Sequence, residues 1–192
     1  VAGMGADLFE SYVGAIIGTM VLGYGLIAAG GGIEKVGMGP IILPLLIAAV
    51  GIICSMAGTF MVSTKEGGNP QHALDTGAFG AAGVTAIGTY FVAAQVWPEA
   101  SMVGGVSAFD VFVATVIGLL CGVLVGLVTS YYCSMGKKPV NTIAEKCKTG
   151  TATNIIAGLG IGMESTAVPV VLIAVGVVAA DQVAGLYGVA IA

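Results

Sequence analysis

Asp7, Glu10, Ser11 and Gly14 follow one another at steps of three, four and seven residues from Asp7. In a helix this spacing sets two carboxylates, a hydroxyl and a gap on one face. Leu8, Phe9, Tyr12, Val13 and Ile16 fill the remainder, so a polar and small stripe runs down an otherwise oily helix. Two acids one turn apart repel each other, which raises the proton affinity of one and leaves the pair short of a cation. A proton, a sodium ion or a lysine from another helix would supply that charge, and carboxylate and hydroxyl oxygens are hard ligands suited to a small alkali cation. An ionised acid at mid-membrane costs about 2.5–3.5 kcal/mol, so such residues normally face a bundle interior and an ion path. A second reading stays open, in which Asp7 and Glu10 sit in the headgroup region near a helix start, favoured there by the helix dipole.

The elements that carry the stripe are membrane helices. Of 192 residues, 57% are hydrophobic and 8% charged, with a mean hydropathy of +1.05. A soluble domain carries about 25% charged residues, so these charges cannot cover a water-exposed surface. The 32 glycines recur at small-xxx-small spacing, as in Gly14 and Gly18, Gly118, Gly122 and Gly126, and Gly158 and Gly162, a pattern of close helix packing in lipid. The formal net charge of −4 gives no basis for a nucleic-acid partner. Cys54, Cys121, Cys133 and Cys147 lack C-x-x-C spacing and are expected as free thiols. The N-terminal residues have no basic region of the secretory kind, there is no initiator Met, and both ends have the character of cut points in a longer chain.

Five spans follow from the apolar runs: about 6–28, 41–62, 73–96, 109–131 and 151–178, with a sixth beginning near Gly185. The expected fold class is therefore all-α, a polytopic transmembrane bundle forming a single transmembrane domain over residues 1–192. Breakers at Gly30-Gly31-Gly32, Gly67-Gly68-Asn69-Pro70, Trp97-Pro98 and Lys137-Lys138-Pro139 separate the runs. Ser107 to Asp110 and Thr142 to Glu145 have the spacing of capping boxes. The loops after the second and fourth spans hold Lys65, Lys137, Lys138, Lys146 and Lys148, whereas those after the first and third hold only Lys35. By the positive-inside rule the lysine-rich loops and the N-terminal end are cytoplasmic, with Trp97 anchoring the opposite interface.

The first dozen residues, Val1-Ala2-Gly3-Met4-Gly5-Ala6-Asp7-Leu8-Phe9-Glu10-Ser11-Tyr12, resemble the stretch that follows the aspartate-rich cytosolic motif of membrane-bound, ion-pumping pyrophosphatases. Lys148-Thr149-Gly150-Thr151-Ala152-Thr153-Asn154-Ile155 is similar to that family's basic-Thr-Gly-x-Ala-Thr-Asn segment at the start of a later helix. The resemblance implies a homodimeric pump in the cell membrane, with about sixteen spans per subunit, of which this piece supplies the sixth to the tenth and the beginning of the eleventh. It implies hydrolysis of magnesium pyrophosphate at a cytosolic site, coupled to outward transport of Na⁺ or H⁺, with K⁺ as a further cofactor of some members. Asp7, Glu10 and Ser11 then belong to the ion gate, Asp7 orienting a lysine from another helix and Glu10 carrying the cation. The stretch Gly5 to Val13 is more similar to sodium-pumping members. The residues that bind Mg²⁺ and pyrophosphate are expected outside this chain, which leaves no catalytic residue to name within it and predicts that the fragment alone is inactive.

The other polar residues fit ordinary roles. His72 is expected as a solvated turn histidine, Asp75 and Asp110 as helix-start acids, and Glu66, Glu99 and Glu145 as loop charges. Glu164, in Gly162-Met163-Glu164-Ser165-Thr166, is read as a polar interruption of the fifth span packed inside the bundle, with a second reading in which it lines a route on the far side. No G-x-x-x-x-G-K-[ST] loop exists, which excludes a P-loop motor in this piece. The rival class is a non-hydrolytic cation channel or secondary transporter, which would show the same spans and stripe but no acidic clusters in the flanking sequence.

Overall fold

The computed structural model describes residues 2–60, 62–63, 70–97 and 105–192, with the side chains of residues 70–72 also left aside. The expectations for Lys65, Glu66, the His72 side chain, the Gly67-Gly68-Asn69 breaker, Pro98 and Glu99 lie outside the described residues. Among the described residues seven helices follow one another: α1 (Ala2–Ala29), α2 (Ile33–Val36), α3 (Gly39–Thr59), α4 (Pro70–Val96), α5 (Ala108–Cys133), α6 (Lys138–Lys146) and α7 (Thr151–Ile191). Among the described residues there is no strand, and five helices are long and apolar enough to cross a membrane. The all-α polytopic expectation holds, with helix ends displaced by a few residues from the apolar runs.

The helix ends have local causes. Gly30-Gly31-Gly32 stops α1, with Gly31 and Gly32 at φ of 101° and 97°, a region that favours glycine. Ser107 and Asp110 form the expected reciprocal cap of α5: the Ser107 amide donates to Asp110 Oδ2 at 2.8 Å and the Asp110 amide to Ser107 Oγ at 3.2 Å. Thr142 does not cap. It lies inside α6, and its hydroxyl donates to the Lys138 carbonyl at 2.9 Å. The helix begins earlier because Pro139 occupies its first turn, where a missing amide costs nothing. Likewise α4 starts at Pro70, so 70–74 is helical rather than a turn.

The residues fall into two compact units, one of 1–119 with 177–192 and one of 120–176. In the first, α3 packs against both α1 and α4. A Cβ on Gly58 would come 2.9 Å from Ala81 Cβ and 3.3 Å from the Gly77 carbonyl, and Gly88 faces Val50, so small residues bring α3 and α4 together. The core of this unit gathers Ile27, Val36, Leu43, Trp97, Val111 and Tyr187, with Leu43 and Val111 fully buried and Tyr187 2% exposed. At its centre is one carbonyl. Pro44 stands inside α3 and has no amide to give Pro40, four residues before it. The Tyr187 hydroxyl donates to the Pro40 oxygen instead, at 2.8 Å.

Tyr187 reaches that oxygen because α7 breaks. Ala184 (φ −133°, ψ 20°) and Gly185 (φ 58°, ψ −153°) are non-helical and divide α7 into a long and a short piece. The apolar run placed the end of the fifth span near residue 178, but the helical φ/ψ values persist to Val183. The break at Gly185 coincides with the expected start of a further segment. The polar stretch at 162–166 does not interrupt the helix, because Ser165 and Thr166 turn their hydroxyls onto the carbonyls of Gly162 and Met163 at 2.7 and 2.8 Å.

Candidate functional site

The stripe sits on the first half of α1, and the second half holds that helix in place. Thr19, Gly23 and Ile27 are its buried residues. A Cβ on Gly23 would lie 2.4 Å from the Pro40 carbonyl oxygen, so only glycine admits this crossing of α1 over α3. The Thr19 hydroxyl reaches the Ala190 carbonyl at 2.7 Å and its own helix at Ala15 O, 2.9 Å. Nearer the stripe, the Tyr12 hydroxyl donates to the Ala48 carbonyl of α3 at 3.2 Å.

With 3.6 residues per turn, Asp7, Glu10, Ser11, Gly14, Gly18 and Gly25 share a face turned about half a revolution from Tyr12, Thr19, Gly23 and Ile27. The structure therefore brings the two acids and the hydroxyl onto one side of α1, the side opposite α3. Asp7, Glu10 and Ser11 are exposed there. A Cβ on Gly14, Gly18 or Gly25 would meet nothing within 4 Å. Burial of the stripe, expected from the cost of a carboxylate in lipid, is not supplied by the described helices of its own unit. Leu8 and Phe9, which fall on the other side by the same register, are exposed as well, Phe9 at 68%. What the face can do alone is limited to offering carboxylate and hydroxyl oxygens along an open helix surface.

Among the described residues, no group of three or more His, Cys, Asp or Glu side chains gathers in a way that would hold a metal ion. A magnesium set therefore does not fit the described residues. All four cysteines are free thiols, Cys54 buried and Cys133 and Cys147 exposed.

Within the second unit, Glu164 is exposed and accepts a hydrogen bond from the Tyr132 hydroxyl at 3.4 Å, joining α5 to α7 across their 120–133 and 151–176 stretches. The expected packing of Glu164 inside the bundle is thus not met within this chain. Sequence reasoning also passed over Tyr187 and Thr19. The signal for Tyr187 was Pro44 four residues after Pro40, which leaves a carbonyl needing a donor.

Known proteins extend the picture. The chain is 38% identical over its whole length to a protein of Bacteroides thetaiotaomicron named "Putative K(+)-stimulated pyrophosphate-energized sodium pump", of which it spans 27%. It is 40% identical, again over its whole length, to the "K(+)-insensitive pyrophosphate-energized proton pump" of Caldanaerobacter subterraneus, of which it spans 28%. A "Pyrophosphate-energized proton pump 2" of Mycoplana dimorpha is 38% identical over 78% of this chain and 74% of that relative. The chain thus covers little more than a quarter of the first two relatives. The model of the inorganic H⁺ pyrophosphatase family matches residues 1–192, and the chain belongs to that family.

Proposed function

We propose that this chain is the gate-bearing part of a pyrophosphate-energised cation pump, with Asp7, Glu10 and Ser11 on the transport path. The observation that carries the reading is the family match over all 192 residues, joined to the shared face of both acids on the exposed first half of α1, turned away from the α3 crossing at Gly23. Remaining helices of the longer protein cover that face. Lining a closed path, the Glu10 carboxylate receives the cation, and Ser11 adds a neutral oxygen. Asp7 one turn away keeps the site electron-rich and holds a cationic side chain from an absent helix. Mg²⁺, pyrophosphate and any activating K⁺ bind to parts of the protein outside this chain, and the working unit is a homodimer. Orientation follows the lysines, with the N-terminal end of α1 in the cytoplasm and the protein in the cell membrane.

Sodium is the proposed cargo, since a pair of carboxylates with a hydroxyl is a hard-oxygen set. A proton is the second reading, favoured by the 40% identity to a relative named as a proton pump. Full-length protein in sealed vesicles tests both. Sodium-stimulated hydrolysis of pyrophosphate with uptake of sodium is expected. Hydrolysis indifferent to sodium, with acidification alone, makes the proton the cargo. Neither hydrolysis nor pyrophosphate-driven transport sinks the pump and leaves a passive channel or secondary transporter.

A further inference from the structure

Lys137, Lys138, Lys146 and Lys148 surround α6, a helix of nine residues between two long apolar helices. Four lysines here face a single acid, Glu145, although the whole chain carries a net charge of −4. All four lysines are exposed, and none has an ion-pair partner among the described residues. The helix is two-sided. Pro139 is buried and Val140 and Ile143 half-buried, while exposed Lys138, Asn141 and Glu145 occupy the other side by helical spacing and Lys146 extends from the edge of the apolar side. Its surroundings are held by local hydrogen bonds: Asn141 Nδ2 to the Gly136 carbonyl at 3.3 Å, and the Thr149 hydroxyl to the Lys146 carbonyl at 2.8 Å.

We propose that α6 and its four lysines form a docking surface for the anionic headgroups of phospholipids. Position argues for it, since α6 joins the ends of two membrane-length helices and so lies at headgroup depth. Charge complementarity argues for it as well, because juxtamembrane lysines are drawn to anionic leaflets. The lysines are spread along twelve residues and do not converge on a point, which fits a sheet of headgroups better than one free phosphate ion. Exposed Met135 beside them, at 93%, adds an apolar contact for the interfacial region.

The test uses full-length protein in phosphatidylcholine vesicles containing a minor share of phosphatidylglycerol. Spin-labelled versions of each lipid report the fraction immobilised on the protein. Preference for phosphatidylglycerol of about fivefold is expected, lost in about 1 M salt. Replacing the four lysines with glutamine abolishes the preference, and replacing them with arginine preserves it. Should the glutamine variant fail to insert, the salt titration of unaltered protein decides alone. Equal immobilisation of the two lipids overturns the proposal, as does a preference that survives high salt or the glutamine substitutions. Loss of preference on adding inorganic phosphate at matched ionic strength also overturns it, by marking a free-phosphate site.

Discussion

The two halves of α1 make an instructive pair, because one helix of uniform apolar composition meets two different surroundings. From Thr19 to Ile27 it is fastened: Gly23 lies against the Pro40 carbonyl, and Thr19 bonds to Ala190. From Ala2 to Ser11 every residue is exposed, and that is where the acids stand. The fastened half is packed against α3 and the last residues of the chain, while the half proposed to carry the cation is exposed. A carboxylate costs about 2.5–3.5 kcal/mol at mid-membrane, so the proposed transport role requires this exposed stripe to be covered in the longer protein.

Substitutions can break this contrast. The largest effect is expected for Glu10→Ala in the full-length protein, with cation uptake into vesicles falling to the passive leak. Near-normal pumping by Glu10→Ala would remove Glu10 from the transport path and leave the fastened half as the only part with a defined role. Next, Gly23→Leu should cost about 3 kcal/mol or more by forcing a side chain against backbone, read as a large drop in the thermal midpoint of the detergent-solubilised protein. An unchanged midpoint would mean that the α1–α3 crossing is not close. Tyr187→Phe leaves the Pro40 carbonyl without a donor, and a loss of about 1–3 kcal/mol is expected by the same measurement. Smallest is Gly14→Ala, expected within about 0.5 kcal/mol of the parent. Gly14→Leu sharpens the comparison, because it destabilises the full-length protein only if another helix lies over the stripe. Stability equal to the parent would turn that face toward lipid.

Much of the fold was legible from composition and punctuation. Apolar runs located all five long helices, and the Ser107 to Asp110 spacing correctly named a cap. The failures have separate causes. Lys137-Lys138-Pro139 was read as a breaker, but proline in a first turn starts a helix, and so α6 was missed. The Gly162 to Thr166 cluster was read as an interruption, yet its hydroxyls bond back to the helix and leave it continuous. The break lies at Ala184 and Gly185, where the sixth apolar segment was expected to begin. For the site, the shared face of Asp7, Glu10 and Ser11 was readable from spacing. Their exposure was not, because spacing fixes which residues share a face and leaves open what packs against it.

Gly23 has a mechanical consequence. A helix clamped at Gly23 and held further out only by the Tyr12 hydroxyl on the Ala48 carbonyl works as a lever, and Asp7 stands sixteen residues, about 24 Å, from Gly23. Rocking by about 5° at the Gly23 pivot would swing the carboxylates through about 2 Å at that rise per residue. A displacement of that size is enough to make or break a coordination bond while the fulcrum barely stirs.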